Sequence, residues 1–365
     1  MQKNSKIKLE ELGNRLVEEI YSGKPPKFTT YARTRSNIIY DEKQRVLRLG
    51  EAKEERNFFN ISQSKKFMQT IAIAAKCHKF LSENLHTSIR GLFYQLKFSF
   101  GEEIEENMFN EQEESNPLIE DLEVALGVKR EDLNLNAKRR GVLVGNMKVI
   151  DRFGGDLTEI DCSKVGRGGW AIPSDVDNEI EFKDINAKYV LVVEKDAVWQ
   201  RLNEDGFWKK ENCILITPEG QAARGTRRLI RKLADMGLPV YVFTDSDVWG
   251  WYIYWTIKTG SINLAYISKE VATPEAKFIG VCMVSDMERY DFLKKLTINA
   301  TDLDIKRAQE MLNYEWIKKH GEWVRELETV IKTKKKLEQD ALQAPRLTFI
   351  GDYIREKISK EEFLP

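Results

Sequence analysis

The chain has 365 residues, enough for two or three domains with their own cores, and its 58 basic residues balance 58 acidic ones. A hydrophobic content of 42% with 32% charged residues describes an ordinary folded protein and excludes a disordered or low-complexity one. No apolar run approaches the ~18 residues of a membrane span, and the polar N-terminus lacks the apolar core of a signal peptide, so a cytoplasmic protein is expected.

Apolar positions Leu9, Leu12, Leu16 and Ile20 recur at helical spacing, which predicts a helix over 6–22 that ends near Gly23 and Pro25-Pro26. Residues 37–40 and 45–49 flank Asp41-Glu-Lys-Gln44 as a β-hairpin. A long helix is predicted over 62–84, and Thr87-Ser-Ile-Arg90 opens another, with a hydroxyl residue placed to cap it. From Glu102 to Glu123 stand ten acids and no Lys or Arg; the stretch after Gly101 reads as a loop, with short helical pieces at 121–126 and 129–133. Without these ten acids the balance is 58 basic to 48 acidic residues, so a basic surface can coexist with zero net charge. Interspersed, merely solubilising charge is the alternative.

Lys138-Arg-Arg-Gly-Val-Leu-Val-Gly-Asn146 is basic on one side of a turn and apolar on the other. Helices followed by such a hairpin are the pattern of a winged helix, a DNA-docking variant of helix-turn-helix. Lys138, Arg139 and Arg140 are therefore candidate DNA contacts. The Gly-rich segment 166–173 joins this half to the next. From Ala187 onward strands and helices alternate (strands at 189–193, 213–217 and 239–244, helices at 223–236 and 250–258), with a further strand at 277–283, which predicts a parallel doubly wound sheet. A charged helical region follows from Asp302 to Ala344 and stops at Pro345; Trp316 and Trp323, seven apart, are expected on one face. Cys77, Cys162, Cys213 and Cys282 form no CxxC pair and are expected to be reduced and mostly buried, and three histidines are too few for a His-based metal centre or triad.

Two of the predicted strands end in acid. Residues 189–193 run into Glu194-Lys-Asp196, and residues 240–244 into Asp245-Ser-Asp247. Ligands of open α/β sheets bind beyond the carboxyl ends of the strands, and residues at i and i+2 of extended backbone share a side. Glu194, Asp245 and Asp247 thus suit Mg²⁺, which takes few carboxylates and keeps several waters. Acids after a strand also serve as helix N-caps or solvated loop residues. Arg90 and Tyr94, at i and i+4, project from one helix face. An arginine favours a tyrosinate and binds phosphate, although an aromatic pair such as Phe93-Tyr94 is by itself usual in a core.

Arg-x-x-x-Tyr on a helix, a basic hairpin, then Glu194 with Asp245-x-Asp247 resembles the A subunit of archaeal DNA topoisomerase VI, a family shared with the meiotic double-strand-break transesterase. Val193-Glu-Lys-Asp-Ala197, Thr226-Arg-Arg228 and Ala272-Thr-Pro-Glu-Ala-Lys-Phe278 add to the match, which runs from about residue 65 to the C-terminus. The resemblance implies a mixed α/β fold. Its parts would be an N-terminal helix and hairpin (1–64) that contacts a partner protein, a winged-helix (CAP-like) domain with the nucleophile (65–150), a linker (151–184) and a TOPRIM Rossmann-like parallel-sheet domain with C-terminal helices (185–365). It implies that Tyr94 forms a covalent 5′-phosphotyrosine bond with Arg90 assisting. Glu194, Asp245 and Asp247 would hold Mg²⁺, Glu194 would also move a proton, and Arg227 and Arg228 would contact DNA. The implied partners are double-stranded DNA, a second copy and a separate ATP-binding B subunit in an A₂B₂ assembly, near the nucleoid. Two departures stand out: Phe93 replaces a commonly found second tyrosine and reads as packing, and Thr217-Pro-Glu-Gly-Gln-Ala-Ala-Arg224 differs from the usual Gly/Lys-rich loop. The alternatives are a dedicated break-making transesterase, a TOPRIM nuclease using metal-bound water, and a non-catalytic DNA-binding protein. No GxxxxGK[ST] motif is present, so ATP would be handled elsewhere.

Overall fold

A computed structural model describes residues 2–100, 106–153 and 155–365. They fall into two compact units, Met1–Ile39 with Leu49–Lys138, and Tyr40–Arg48 with Arg139–Pro365. The boundary cuts the expected hairpin, whose strands are Ile38–Asp41 and Val46–Leu49, so that its tip belongs with the second unit.

The first unit is mostly helical. Helix α1 (Gln2–Tyr21) buries Leu9, Leu12 and Leu16. Helix α2 (Ile61–Glu83) starts where Asn60 accepts from the Ser62 amide and stops at Asn84 in left-handed conformation, φ 53°. Helix α3 (Ile89–Leu96) is capped by Ser88, whose hydroxyl accepts from the Gly91 amide at 2.9 Å. Helix α4 (Gln112–Leu126) closes the unit, and its Leu118, Ile119 and Leu122 share a core with Phe28, Ile73, Cys77 and Leu92.

The acidic stretch departs from expectation. Residues 102–105 lie outside the described residues, but from Gln112 onward the chain is helix rather than loop. Asp121 pairs with Arg33 at 2.8 Å and with Arg56, and Glu123, fully buried, receives Arg130 at 2.8 Å. Asp121 and Glu123 thus neutralise arginines inside the unit rather than solubilise a surface loop. Burial without a partner would cost each several kcal/mol.

The second unit holds two sheets. One is antiparallel, with Met147–Phe153 between Asp156–Asp161 and Ile180–Ile185. The segment expected as a linker over 151–184 therefore contributes strands to both sheets. The other has six strands: β1 (Val142–Gly145), β2 (Trp170–Ala171), β3 (Tyr189–Val193), β4 (Cys213–Thr217), β5 (Val240–Phe243) and β6 (Lys277–Phe278), in the order β2-β1-β4-β3-β5-β6. Strands β4, β3, β5 and β6 are parallel, as predicted, whereas β1 and β2 join antiparallel at one edge. The expected basic wing over 138–146 does not form: Val142–Gly145 pairs with β4, and residues 138–140 lie outside any strand. The apolar half of that segment, Val142-Leu-Val, satisfies itself better in a buried sheet than in an exposed ribbon.

Every residue of β3 and β4 is buried. Helices α5 (Asp196–Glu204), α6 (Arg224–Asp235) and α7 (Val248–Thr259) accompany the sheet. Trp316 and Trp323 do not share one helix: they sit in Glu315–Lys318 and Gly321–Thr333, and Trp323 is wholly buried against Tyr254, Trp255 and Phe278. The four cysteines are free and buried. No helix among the described residues is long and apolar enough to cross a membrane.

Candidate active site

Helix α3 splits its side chains between core and solvent. Leu92, Phe93 and Leu96 are buried, whereas Tyr94 is 58% exposed. Phe93 is thus a packing residue, as expected. Gly91 belongs to the same design, since a Cβ there would collide with Thr87 Oγ1. The Arg90 guanidinium carbon lies 5.8 Å from the Tyr94 ring centroid. Its hydrogen bond and charge hold the Tyr94 hydroxyl below the usual 10, and Lys97 adds to the effect. A tyrosine so placed is open to a large substrate and is biased toward its anion.

The acids lie at the carboxyl end of the parallel sheet. Val193 pairs in register with Phe243, and the Glu194 amide donates to Phe243 O at 3.0 Å, so the acid-bearing ends of β3 and β5 are adjacent. Glu194 Oε2 accepts from the Asp245 amide at 3.0 Å. Burial first, then the charges of Asp245 and Asp247, push the Glu194 carboxyl up to about 7. Asp245 and Asp247 are raised as well, by burial, against the pull of the Gln339 amide and Lys195 on Asp245, and of the Gly250 amide and Lys336 on Asp247. Asp247 Oδ1 also caps α7, accepting from Trp249 N at 3.0 Å and Gly250 N at 2.8 Å. The cap uses Oδ1 and leaves Oδ2 toward Lys336 at 3.7 Å.

The donor set fits a hard divalent cation. Three carboxylates lie at adjacent strand ends, and burial first, with their mutual charge, raises their affinities for protons. They are not drawn into a closed ligand sphere: among the described residues no three His, Cys, Asp or Glu side chains form a ready metal-holding group. A cation held by one or two carboxylates with water matches that arrangement.

The basic candidates separate. Lys138 and Arg139 are exposed, and Arg140, also exposed, donates to Glu219 O at 2.7 Å. Arg227 is only 3% exposed, its Nε and Nη1 have no partner among the described residues, and burial lowers its pKa to about 10. It does not face solvent as a phosphate contact must. Arg228 is engaged by Asp177 at 2.8 and 3.0 Å and by Glu270 O at 2.8 Å. Burial holds Arg227, and internal pairing engages Arg228.

The acid loop also has neighbours that the sequence reading missed. Ser246 and Leu337 exchange backbone hydrogen bonds of 2.9 and 3.1 Å, which lays 336–340 along 245–247. Lys195 and Lys336 reach the two aspartates. Lys195 was visible between Glu194 and Asp196; Lys336 and Gln339 carry no local signal.

Comparison with known proteins gives the class. Residues 189–358 match the family of the Toprim domain of the topoisomerase 6 A subunit and Spo11, 65–135 match "Type IIB DNA topoisomerase", and 140–186 match "All-beta domain in DNA topoisomerase VI alpha subunit". The A subunit of the type 2 DNA topoisomerase 6 of Aeropyrum pernix is 44% identical over 96% of this chain and 93% of its own length. That of Pyrococcus horikoshii is 43% identical over 98% and 94%, and the A subunit of the DNA topoisomerase 6 of Arabidopsis thaliana 32% identical over 96% and 79%. The chain belongs to the family of DNA topoisomerase VI A subunits, the type IIB enzymes.

Proposed function

We infer that this chain is the DNA cleavage and rejoining component of a type IIB topoisomerase, with Tyr94 as its nucleophile. The observation that carries the residue assignment is the Arg90–Tyr94 pair, an exposed hydroxyl with its pKa lowered by a neighbouring guanidinium. The Tyr94 oxygen attacks a DNA phosphorus, the phosphate ester to the 3′ oxygen breaks, and a 5′-phosphotyrosine forms while the 3′ hydroxyl leaves with a proton. One ester replaces another, so resealing needs no external energy. Arg90 favours the attacking anion and then the phosphate charge.

Glu194, Asp245 and Asp247 would hold Mg²⁺, which when bound neutralises phosphate charge as a Lewis acid. Glu194, whose carboxyl titrates at about 7, is suited to pass the proton of the 3′ hydroxyl at neutral pH. The helical unit is read as the winged-helix part of the enzyme, α3 presenting the tyrosine. The proposed partners are double-stranded DNA, a second copy of the chain and an ATP-binding B subunit, which would supply strand passage in an A₂B₂ assembly. Cytoplasmic, nucleoid-associated work follows from that substrate.

End-labelled supercoiled DNA incubated with the chain, a B subunit, ATP and Mg²⁺, then denatured, should leave label on protein. Tyr94→Phe should abolish the adduct. Cleavage with free ends in that variant would show water as the nucleophile and overturn the tyrosine assignment.

A further inference from the structure

Each aspartate of the Asp245-Ser-Asp247 loop faces an ammonium that other acids share. Lys195 Nζ lies 3.1 Å from Asp245 Oδ2, 3.0 Å from Glu338 Oε2 and 2.9 Å from Asp340 Oδ2. Lys336 Nζ lies 2.9 Å from Asp304 Oδ2 and 3.7 Å from Asp247 Oδ2, so its principal partner is Asp304. An ammonium has three donors, and Lys195 has one for each of its three carboxylates. Glu338 and Asp340 cannot drift from it freely. Their segment is fixed by the Ser246–Leu337 backbone pair and by the Gln339 amide, which donates to Asp245 Oδ1 at 2.8 Å.

We propose that Lys195 is the resident counter-cation of the acid site, neutralising Asp245 when no divalent cation is bound and withdrawing onto Glu338 and Asp340 when one arrives. The inference rests on the proposed metal role of Glu194, Asp245 and Asp247. Like charges repel more strongly in a partly buried site than in water, so the three acids at these adjacent strand ends favour a resident cation when the site is empty. A lysine is suited to this because its flexible stem lets a compact charge move without backbone change. Withdrawal breaks one of its three contacts and keeps two. The acids at 338 and 340 therefore set how readily Asp245 is released to the metal.

The test is Mg²⁺ titration calorimetry on the full chain, with melting temperatures in metal-free buffer, for wild type, Lys195→Met, Glu338→Gln/Asp340→Asn and the triple variant. Lys195→Met should bind Mg²⁺ roughly tenfold more tightly and melt lower without metal. The acid pair variant should bind more weakly, because Lys195 then stays on Asp245. In the triple variant that weakening should vanish. Equal or weaker binding by Lys195→Met, or the same weakening in both backgrounds, overturns the proposal, because simple charge effects add whereas a retreating lysine couples the two sites. If wild type shows no Mg²⁺ binding that Asp247→Asn removes, the metal reading fails on its own. The metal-free melting of Lys195→Met then decides the counter-cation role, and an unchanged melting temperature overturns it.

Discussion

The backbone amide of Gln339 donates to Asp245 Oδ1 at 2.8 Å across a sequence separation of 94 residues. The same residue is completely buried, and among the described residues neither its Nε2 nor its Oε1 has a partner. Its backbone serves the site while its side chain bears an unmet polar cost.

Gln339→Met should therefore stabilise the protein by about 1–2 kcal/mol, since a buried amide without hydrogen bonds is replaced by an apolar chain of similar volume. The amide bond to Asp245 is retained. Urea denaturation measures the difference; a stability loss would mean that the carboxamide is satisfied in the folded protein.

Replacing Arg90 should separate chemistry from binding. Arg90→Ala leaves Tyr94 without its hydrogen bond, so the tyrosine pKa rises toward 10 and the cleavage profile moves to higher pH. The rate at neutral pH should fall roughly a hundredfold, in the range of a lost acid–base or electrostatic assist. Arg90→Lys should recover part of it. Single-turnover adduct formation between pH 6 and 10 reads this out, and an unshifted profile in Arg90→Ala would remove Arg90 from the activation of Tyr94.

Glu194 makes the metal-free protein pH-sensitive. Its folded pKa, about 7, lies above its ordinary 4.5, so its contribution to stability is fully present below pH 4.5 and is lost as pH rises through 7. Glu194→Gln mimics the protonated form and should melt higher than wild type at pH 8 in chelator, with the gain disappearing near pH 4.5. Scanning calorimetry at both pH values is sufficient. A gain that does not depend on pH would place the strain elsewhere.

DNA affinity should depend on the exposed basic residues and not on the buried one. Lys138→Ala with Arg139→Ala should lower the slope of log affinity against log salt by ~2, near 0.9 per lost phosphate contact. Arg227→Met should leave the slope unchanged. A reduced slope in Arg227→Met would require that the buried guanidinium reach DNA after a rearrangement.

Much of the second unit was legible because a parallel sheet leaves a strong local trace: β3 and β4 are continuous apolar runs, buried throughout. The acids at the ends of β3 and β5 followed from chain direction alone. The wing over 138–146 was misread because Val142-Leu-Val is equally compatible with an exposed hairpin and an added edge strand. Only the available partner, β4, decides between them. Trp316 and Trp323 failed for a related reason: a seven-residue spacing implies one face only if one helix continues through both, and Lys319 and His320 interrupt it.

By itself the sequence determined the tyrosine with its arginine one turn away, the parallel strands and the three acids at their ends. These depend on interactions within a few residues or on direction along one strand. Tertiary structure alone decided that Glu120, Asp121 and Glu123 are spent on internal arginines, that Arg227 is sealed from solvent, and that Lys195, Lys336 and the Gln339 amide surround the acid loop. Charge compensation acts through space over a few ångströms whatever the separation along the chain, so sequence spacing does not record it.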